Sequence, residues 1–405
     1  RVAVIGGGIS GLAAAHRLRE LEPELEVVLC EASSKLGGFL QTTRRDGYLI
    51  EHAADNFITN VPWAVDLCKR IGLEDQLIPT DDRYRKAFVV HKGKLVPVPE
   101  GFALMAPARV WPVLTTPILS LRGKLRLLWE YFQPPRRDVE DESLESFARR
   151  RLGNEVFERI VQPLVGGIYT ADPQKLSLAA TLPRFLEMER KHGGLIRGAL
   201  RQTGKGKQSD EQSSGARYSL FVTLQQGMAS LVEALSQKLA GCIQMNAPIH
   251  RVALDGSKWK VSFFDERPAE EFTNVILATS AGAAAKCLSD FEELASQLQS
   301  VPYAGASVVC LGYDRSQIDH PLNGFGFVVP AVAGRKILAG SFSSVKFTGR
   351  AVEGKVLIRV FIGGAMQPEL TSLPDDELAR LAGEELTDLI GAKGEPDMVH
   401  ISRWE

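Results

Sequence analysis

The sequence has 405 residues, of which 44% are hydrophobic and 24% are charged, and its formal net charge is −1. These values are ordinary for a globular chain, so they exclude a disordered or fibrous protein, and the near-zero charge gives no general attraction to nucleic acid. Since domains usually have about 100 to 200 residues, the length predicts two or three of them.

The cysteine spacing and the hydropathy indicate the cellular compartment of the protein. Five cysteines lie far apart with no C-x-x-C pair, which argues against a disulfide framework and a metal site and favours the cytoplasm. No stretch supplies the roughly 20 uninterrupted apolar residues of a membrane-spanning helix. The sequence opens at Arg1 inside a strand pattern, so we expect that further residues preceded it.

The start of the chain has a dinucleotide-binding pattern, which predicts a β-α-β unit of the Rossmann type. The pattern consists of the apolar run Val2–Ile5, the sequence Gly6-Gly7-Gly8-Ile9-Ser10-Gly11, a helical stretch over 12–21 and an apolar run at 27–30. Gly6 would permit a tight turn, Gly8 would let the backbone approach a pyrophosphate, and Gly11 would let the helix pack on the strand. The phosphates would then meet the positive end of the helix. Glu31 would accept hydrogen bonds from an adenosine ribose.

The residues that follow Glu31 favour FAD over a nicotinamide cofactor. Ala32 and a second glycine pair, Gly37-Gly38, come shortly after it, and Phe39 is next. The sequence Ala53-Ala54-Asp55-Asn56 follows a further strand pattern and is predicted to reach toward a flavin. No second strand-glycine-helix unit occurs, so electrons should pass directly to dioxygen or a quinone. No acid–base dyad or nucleophile triad is evident, and no catalytic side chain is assigned.

The middle of the chain is predicted to be mostly helical. A helical pattern covers about 60–79, a hairpin is predicted at 88–96, and helical signals dominate 107–185, with Ser143 as an N-cap. Residues 102–132 mix apolar and basic side chains, which suits either a surface in contact with a lipid leaflet or a helical lid over a substrate cavity.

The second half is predicted to be rich in strands. Residues 201–217 almost lack apolar side chains and are predicted to form an exposed loop. Strand patterns follow at 261–264, 275–277, 307–311, 326–329 and 356–361.

With these residues the chain resembles the FAD-dependent amine-oxidase superfamily and, within it, the oxygen-dependent protoporphyrinogen oxidase family. The closer resemblance rests on segments spread in the family's order over nearly the whole chain. These segments are 36–38, 41–42, 46–47, 91–99, 149–153, 162–169, 175–177, 226–228 with Leu231, and 324–327.

The resemblance implies a fold, a reaction and a set of contacts. The fold would be mixed α/β (α+β), with a Rossmann-type FAD-binding domain, a sheet-rich substrate domain and an inserted helical domain. The reaction would be a six-electron oxidation of a porphyrinogen, with FAD as hydride acceptor and dioxygen as final acceptor. The FAD contacts would be Gly6, Gly7, Gly8, Ile9, Ser10, Gly11, Glu31, Ala32, Gly37, Gly38, Phe39, Ala53, Ala54, Asp55, Asn56 and the backbone of Ile249. The substrate cavity would include Gly167, Phe325, Gly326 and Val328.

Three features depart from the family. His52-Ala53-Ala54 stands where relatives have an Arg-Gly-Pro-like turn. Ala87 stands where many relatives have an arginine that pairs with a substrate propionate, and Lys86 is the nearest substitute. A glycine-rich flavin contact that the family has near its C-terminus is absent because the sequence ends at Glu405, so we expect an incomplete flavin site.

The predicted domains and the open alternatives follow from these observations. We assign 1–80 plus 218–295 to FAD binding, without its C-terminal part, 81–100 plus 296–400 to a substrate-binding sheet, and 101–200 to the helical domain. The substrate is either protoporphyrinogen IX or coproporphyrinogen III. Alternatives are an amine-oxidase-like flavoprotein acting on amines or carotenoids, and a non-redox escort protein with this fold. Peripheral contact with the inner face of the membrane and a homodimer are left open.

Overall fold

A computed structural model describes residues 1–107, 109–136, 140–203 and 221–404. The strands are Val2–Ile5 (β1), Val27–Cys30 (β2), Thr42–Arg45 (β3), Tyr48–Glu51 (β4), Phe57–Ile58 (β5), Leu77–Pro79 (β6), Ala87–His91 (β7), Lys94–Pro97 (β8), Phe102–Ala103 (β9), Ala106–Pro107 (β10), Phe221–Leu224 (β11), Ile243–Gln244 (β12), Ile249–Asp255 (β13), Lys258–Phe263 (β14), Glu270–Phe272 (β15), Asn274–Leu277 (β16), Ala306–Asp314 (β17), Gly326–Val328 (β18), Ala339–Phe342 (β19), Lys355–Gly363 (β20) and Met398–Trp404 (β21). The helices are Ile9–Leu21 (α1), Trp63–Ile71 (α2), Val110–Thr115 (α3), Leu121–Trp129 (α4), Leu144–Leu152 (α5), Asn154–Val156 (α6), Gln162–Tyr169 (α7), Leu178–Thr181 (α8), Pro183–His192 (α9), Leu195–Thr203 (α10), Ala229–Lys238 (α11), Ala281–Cys287 (α12), Glu292–Gln299 (α13), Ser343–Lys346 (α14) and Asp375–Ile390 (α15). The predicted mixed α/β class is confirmed.

The chain divides into two compact units. The first contains Arg1–Thr43, Leu49–Ile78 and Val222–Tyr303, and the second contains Arg44–Tyr48, Pro79–Phe221 and Ala304–Glu405. The predicted helical segment 101–200 therefore falls in the second unit together with the large sheet. The functional division into cofactor, substrate and helical domains stays a prediction, and most of the predicted loop at 201–217 lies outside the described residues.

The first unit is built on a parallel sheet in the order β12-β2-β1-β16. Every residue of β1 and β2 is buried, as is typical of parallel strands covered on both faces. Leu12 and Ala15 of α1 and Leu231 and Leu235 of α11 pack in the core on one side of the sheet. The predicted β-α-β unit is confirmed, although α1 begins at Ile9 rather than at Leu12, because the last residues of the glycine loop already form its first turn.

The predicted helical stretch over 60–79 is shorter than expected. Helix α2 ends at Ile71 because Gly72 adopts a left-handed conformation (φ +83°) and caps it. The chain then forms a 3₁₀ turn at Glu74–Gln76 and strand β6, which joins a small sheet in the order β5-β11-β6. A short apolar run of this kind does not distinguish a strand from a helix by periodicity alone.

The second unit contains a seven-stranded sheet in the order β21-β17-β20-β19-β18-β7-β8. Long apolar strands β17 and β20 pair antiparallel along their full lengths, and α15 covers one face of them. The predicted hairpin at 88–96 is confirmed as β7 and β8. The predicted cap is confirmed too, since the Ser143 hydroxyl accepts the Ser146 amide at 3.2 Å. Among the described residues, no helix has both the length and the apolar composition needed to cross a bilayer.

A buried ion pair organises the helical part of the second unit. Glu130 and Arg151 are 0% exposed, and the Arg151 guanidinium donates to the Glu130 carboxylate. The same carboxylate accepts the backbone amides of Leu195, at 2.7 Å, and Ile196, at 3.0 Å, at the start of α10. Protein groups thus compensate both charges, which is the condition for burying them.

Removing one charge of this pair should destabilise the protein strongly. We expect Glu130→Gln to lower the free energy of unfolding by about 3 kcal/mol, because the buried Arg151 then keeps only the longer contact to Glu189, at 3.4 Å, as its counter-charge. Urea unfolding followed by circular dichroism measures the change. The control is Glu187→Gln, which breaks the exposed Glu187–Lys191 pair on α9 and should leave the midpoint unchanged. Equal midpoints for the wild type and Glu130→Gln would contradict the assignment.

His320 is a partly buried, neutral side chain beside the core of the sheet. Its Nδ1 accepts the Leu322 amide at 3.0 Å, and its ring contacts Phe88 and Phe342. Burial, and then the nearby Arg315, holds the pKa of His320 below its ordinary value. The bond from Leu322 requires an unprotonated Nδ1, so the geometry and the direction of the pKa agree.

The lowered pKa of His320 predicts a pH dependence of stability. The neutral His320 contributes to the free energy of unfolding at pH values above its unfolded pKa of 6.5. This contribution is lost as the pH falls through 6.5 toward the lower pKa of the folded state, because the unfolded chain then binds the proton more readily than the folded chain. We expect the loss of unfolding free energy between about pH 7.5 and pH 5.5 to be smaller in His320→Gln than in the wild type. The exposed His250, changed to Gln, is the control and should keep the wild-type slope.

Candidate functional site

The glycine-rich turn after β1 brings α1 unusually close to the strand. A β-carbon at Gly11 would lie 1.9 Å from the carbonyl oxygen of Gly6, so a larger residue there cannot be accommodated without moving the helix. Gly6 itself has φ +110°, a conformation that favours glycine. These are the roles that the sequence predicted for Gly6 and Gly11.

The N-terminus of α1 is open to a ligand. Within the described residues, no side chain caps this 13-residue helix and no acidic residue stands in its first turn, so its first amides lack side-chain acceptors. A β-carbon at Gly8 would meet no atom within 4 Å, which shows free space beside the backbone. Ile9 and Ser10 begin the first turn, and Ser10 is exposed. The arrangement suits an anionic group held by amides and by the helix dipole.

The second glycine pair lies directly against this loop. The Gly37 amide donates to the Gly7 carbonyl at 2.8 Å, and a β-carbon at Gly38 would lie 3.5 Å from the Gly8 Cα. Phe39 follows with an exposed ring. The structure therefore brings both glycine motifs together.

Glu31 lies at the end of β2, where its carboxylate is fixed by backbone amides. One oxygen accepts the Gly7 amide at 2.7 Å and the other accepts the Ser33 amide at 2.8 Å. A carboxylate has about four acceptor positions, so it can still accept ribose hydroxyls. The Ala247 amide donates to the Glu31 carbonyl at 2.8 Å, which brings the start of β13 at Ile249 to this end of the site, while Ala32 is exposed.

Glu51 has a role that the sequence did not reveal. It is buried at the end of β4 and accepts the Thr42 hydroxyl at 2.7 Å and the Met228 amide at 2.9 Å. Thr42 in turn accepts the Ala229 amide at 3.0 Å. These bonds fix the N-terminus of α11 to the strand that leads into residues 53–56. The segments 41–42 and 226–228 were noted in the sequence, but nothing in their spacing showed that they meet.

Residues 53–56 form an irregular segment between β4 and β5. Asn56 donates to the Asp55 carboxylate within it, and Ala54 is exposed. His52, which precedes the segment, contacts the Thr43 hydroxyl at 2.8 Å through Nε2. Flavin contacts by Ala53, Ala54, Asp55 and Asn56 stay a prediction.

Cys30 and Cys68 of the first unit are buried thiols that stay protonated at neutral pH. Burial raises the pKa of Cys30, beside Glu31, to about 11, and Glu270 contributes in the same direction. Burial alone raises the pKa of Cys68 to about 11. Neither thiol is a thiolate near pH 7, so neither supplies a nucleophile or a redox pair.

Three of the predicted substrate residues lie on α7 and β18 in the second unit. A β-carbon at Gly167, on α7, would lie 3.3 Å from Val328 Cγ1 on β18. Gly326, two residues earlier in the strand, has φ +149°, and a β-carbon there would lie 2.2 Å from the Gly340 carbonyl. Ile168, beside Gly167, is exposed, so this end of α7 presents an apolar surface.

Phe325 and Lys86 occupy different environments from these three residues. The Phe325 ring is buried, and its amide donates to the Lys86 carbonyl at 2.8 Å. The Lys86 side chain is exposed just before β7. The structure therefore links the two residues through the backbone.

Gln162 is a second residue whose position the sequence did not reveal. It is buried at the start of α7, where its Oε1 accepts the Ala331 amide at 2.9 Å and its Nε2 lies 3.9 Å from Met366 Sδ. At the other end of α7 the Thr170 carbonyl accepts the Ala365 amide at 2.8 Å. Two loops of the sheet are thus fixed to the helix that carries Gly167.

The first unit fits FAD. The open α1 N-terminus suits a pyrophosphate, the free space at Gly8 allows its close approach, and Glu31 remains able to accept ribose hydroxyls.

Filling the space at Gly8 should weaken FAD binding without harming the fold. We expect Gly8→Ala to raise the FAD dissociation constant about tenfold or more, because the methyl group would enter the space available to the phosphates. FAD titration and the flavin band near about 450 nm report binding. Gly383→Ala on α15, also a helix-associated glycine with open space beside it, is the control and should keep wild-type affinity. An unchanged dissociation constant for Gly8→Ala would contradict the site.

Comparisons with known proteins agree with this geometry. A family model described as flavin containing amine oxidoreductase matches residues 9–405. The chain is 32% identical to coproporphyrinogen III oxidase of Bacillus subtilis (strain 168), over 100% of this chain and 86% of that protein. It is 34% identical to coproporphyrinogen III oxidase of Propionibacterium freudenreichii, over 99% and 79% of the two chains. A crystal structure of a provisionally assigned protoporphyrinogen oxidase from Exiguobacterium sp. 255-15 superposes with a TM-score of 0.87 at 27% identity, covering 100% of this chain and 86% of that one.

Proposed function

The chain belongs to the flavin containing amine oxidoreductase family, and on that premise we propose that it oxidises a porphyrinogen to the porphyrin in haem biosynthesis. FAD is the cofactor and dioxygen is the electron acceptor. The observation that carries the proposal is full-length similarity to coproporphyrinogen III oxidases combined with a glycine loop whose geometry fits FAD. Coproporphyrinogen III is the first candidate substrate, because the relatives at 30% identity or more carry that name, and protoporphyrinogen IX is the second.

The chain's own residues hold and orient the reactants. The N-terminal amides of α1, Gly8 and Glu31 would bind the pyrophosphate and the ribose, and Glu51 fixes the adjoining helix α11. FAD, when bound, supplies the hydride acceptor for the porphyrinogen and passes the electrons to dioxygen. The apolar face of the macrocycle would contact Gly167 of α7 and Val328 of β18, and Gln162 fixes the start of α7. Lys86 is the proposed cation for a propionate.

Location and assembly are further parts of the proposal. We place the protein in the cytoplasm, with a peripheral contact at the inner face of the membrane through the helical segment 102–132. A homodimer stays a prediction that light scattering of the purified holoenzyme can test.

The reaction is tested by aerobic turnover. We expect the purified holoenzyme to form fluorescent porphyrin from coproporphyrinogen III faster than autoxidation does, and to release three molecules of hydrogen peroxide per porphyrin, because six electrons reduce three molecules of dioxygen by two electrons each. Protoporphyrinogen IX is assayed in parallel, and the ratio of kcat/KM values identifies the preferred substrate.

The control for that assay is the Gly8→Ala variant, assayed at a concentration of FAD at which most of the variant binds no FAD. Its turnover should fall to the autoxidation rate. Turnover of primary amines, with no porphyrin formed from either porphyrinogen, would assign the chain to another activity of the family. A colourless protein that binds no FAD would contradict any redox role.

A further inference from the structure

Arg359 is a charged residue near the centre of the large sheet of the second unit. It belongs to β20, the third of the seven strands counted from β21, and its side chain is fully buried, with 1% of the residue exposed. Arginine is among the residues that are least often fully buried in proteins. The groups that lie beside this side chain therefore indicate what its charge is used for.

The strand register places Arg359 on the same face of the sheet as a predicted substrate residue. Arg359 pairs with Ser341 of β19, and Ser341 pairs with Gly326 of β18. On the other side, Arg359 pairs with Cys310 of β17. Because directly paired residues of neighbouring strands lie on one face of a sheet, these four residues form a cross-strand row, which we call the Arg359 row.

A second row on this face lies next to the first and contains Val328, Ala339 and Phe361. Helix α7 packs on this row, since a β-carbon at Gly167 would lie 3.3 Å from Val328 Cγ1 and 3.9 Å from the Ala339 β-carbon. The guanidinium carbon of Arg359 lies 5.3 Å from the centre of the Phe361 ring, so a cation–π contact joins the two rows. The charge is thus adjacent to the surface that carries the predicted substrate residues.

The two faces of the sheet differ in how completely they are covered. On the face toward α15, Val309 and Ile358 are 0% exposed. On the face of Arg359, the residues Val328, Ser341 and Phe361 are partly exposed although they belong to central strands. Accessible surface therefore lies directly beside the buried guanidinium, and rotation of the Phe361 side chain would open a path to it.

Lys86 and Arg359 differ in their access to solvent. Lys86, the cation proposed above for a propionate, is exposed directly before Ala87, whereas Arg359 is buried. Ala87 extends the Arg359 row, since it pairs with Gly326. Three strand spacings separate Ala87 from Arg359, which is about 14 Å. That span is comparable with the distance between propionates on opposite edges of a porphyrinogen, so one macrocycle can reach from the exposed end of the row to Arg359.

We propose that Arg359 binds a substrate propionate and selects coproporphyrinogen III over protoporphyrinogen IX. A guanidinium binds a carboxylate through two parallel hydrogen bonds, which makes arginine suited to this role. Both substrates have one edge with two propionates, which the exposed Lys86 can hold. The opposite edge then faces Arg359, and it carries propionates in coproporphyrinogen III but vinyl groups in protoporphyrinogen IX. A vinyl group cannot compensate a buried charge, so the second substrate is disfavoured.

This inference deepens the proposed function and rests on it. Steady-state kinetics of the holoenzyme tests the selectivity. We expect Arg359→Met to raise the KM for coproporphyrinogen III about 10- to 100-fold with little change in kcat, because a charge-assisted contact far from the reacting carbon contributes equally to the ground state and the transition state. The KM for protoporphyrinogen IX should change much less. The ratio of the two kcat/KM values should therefore fall by about the same factor.

A binding measurement without turnover tests the charge directly. Coproporphyrin III and its tetramethyl ester have the same macrocycle, but only the acid carries carboxylates. We expect the wild type to bind the acid more tightly than the ester, measured by porphyrin fluorescence, and Arg359→Met to reduce this preference about 10- to 100-fold. A side chain that only supports the fold would weaken the binding of both ligands equally.

The matched control is an arginine on the opposite face of the same sheet. Arg403 of β21 pairs with Asp375 of α15 at 2.5 Å, so it lies on the face that α15 covers. Arg403→Met should keep the wild-type preference for the acid and the wild-type ratio of kcat/KM values. Arg359→Gln, which keeps hydrogen-bond donors but has no charge, is judged by the same two quantities if Arg359→Met does not fold.

Two results would overturn the proposal whatever the turnover. One is a wild type that binds the acid no more tightly than the ester. The other is an unchanged preference for the acid in a folded Arg359 variant, with folding checked by circular dichroism. Failure of the proposed reaction gives a different pattern, in which neither porphyrinogen is oxidised above the autoxidation rate while the preference for the acid still depends on Arg359. That pattern would support a carboxylate site at Arg359 and refute the reaction alone.

Discussion

Helix α1 packs so closely on the turn before it that a β-carbon at Gly11 would overlap the carbonyl oxygen of Gly6. That contact fixes the helix axis relative to β1 and directs the first amides of the helix outward at Gly8. The position of Gly7 then sets the other two parts of the site, because Gly7 donates to the Glu31 carboxylate and accepts the Gly37 amide. One backbone approach therefore positions the second glycine pair together with the groups that are proposed to bind the phosphate and the ribose.

In the second unit, a buried ion pair rather than a close backbone contact holds the helical segments together. Glu130 and Arg151 are buried together, and the carboxylate also holds the first amides of α10, so three helical segments share one ion pair. On α4 the balance is different, since Arg126 donates to the carbonyl oxygens of Arg150 and Arg151 and not, within the described residues, to a carboxylate. The same helix exposes Leu121, Leu125 and Trp129, so it lies between a compensated interior and an apolar surface.

The sequence was sufficient to predict the elements that depend on contacts between residues close to each other in the chain. The glycine loop, the Ser143 cap, the β7–β8 hairpin and Glu31 at the end of β2 each depend on neighbours within about 30 residues, and each is in place. The contacts that could not be predicted join distant segments. Glu51 meets Met228, and Gln162 meets Ala331, because tertiary packing brings them together, and no spacing in the sequence records that. Helix α2 was overestimated for a related reason, since a short apolar run can join a sheet as readily as a helix.

The first unit is completed by a segment that is synthesised late. Strand β1 lies at the centre of its sheet, yet its partner β16 pairs Asn274 with Val2, and α11 reaches Glu51 from Met228. Residues 79–221, which belong to the second unit, leave the ribosome in between. One edge of β1 in the opening β-α-β unit therefore stays unpaired until residues 222–303 emerge. During that interval the apolar strand β1 can aggregate or bind chaperones. Substitutions in β16 or α11 would accordingly limit the yield of folded protein during translation more than those in β2, which pairs with β1 from the start.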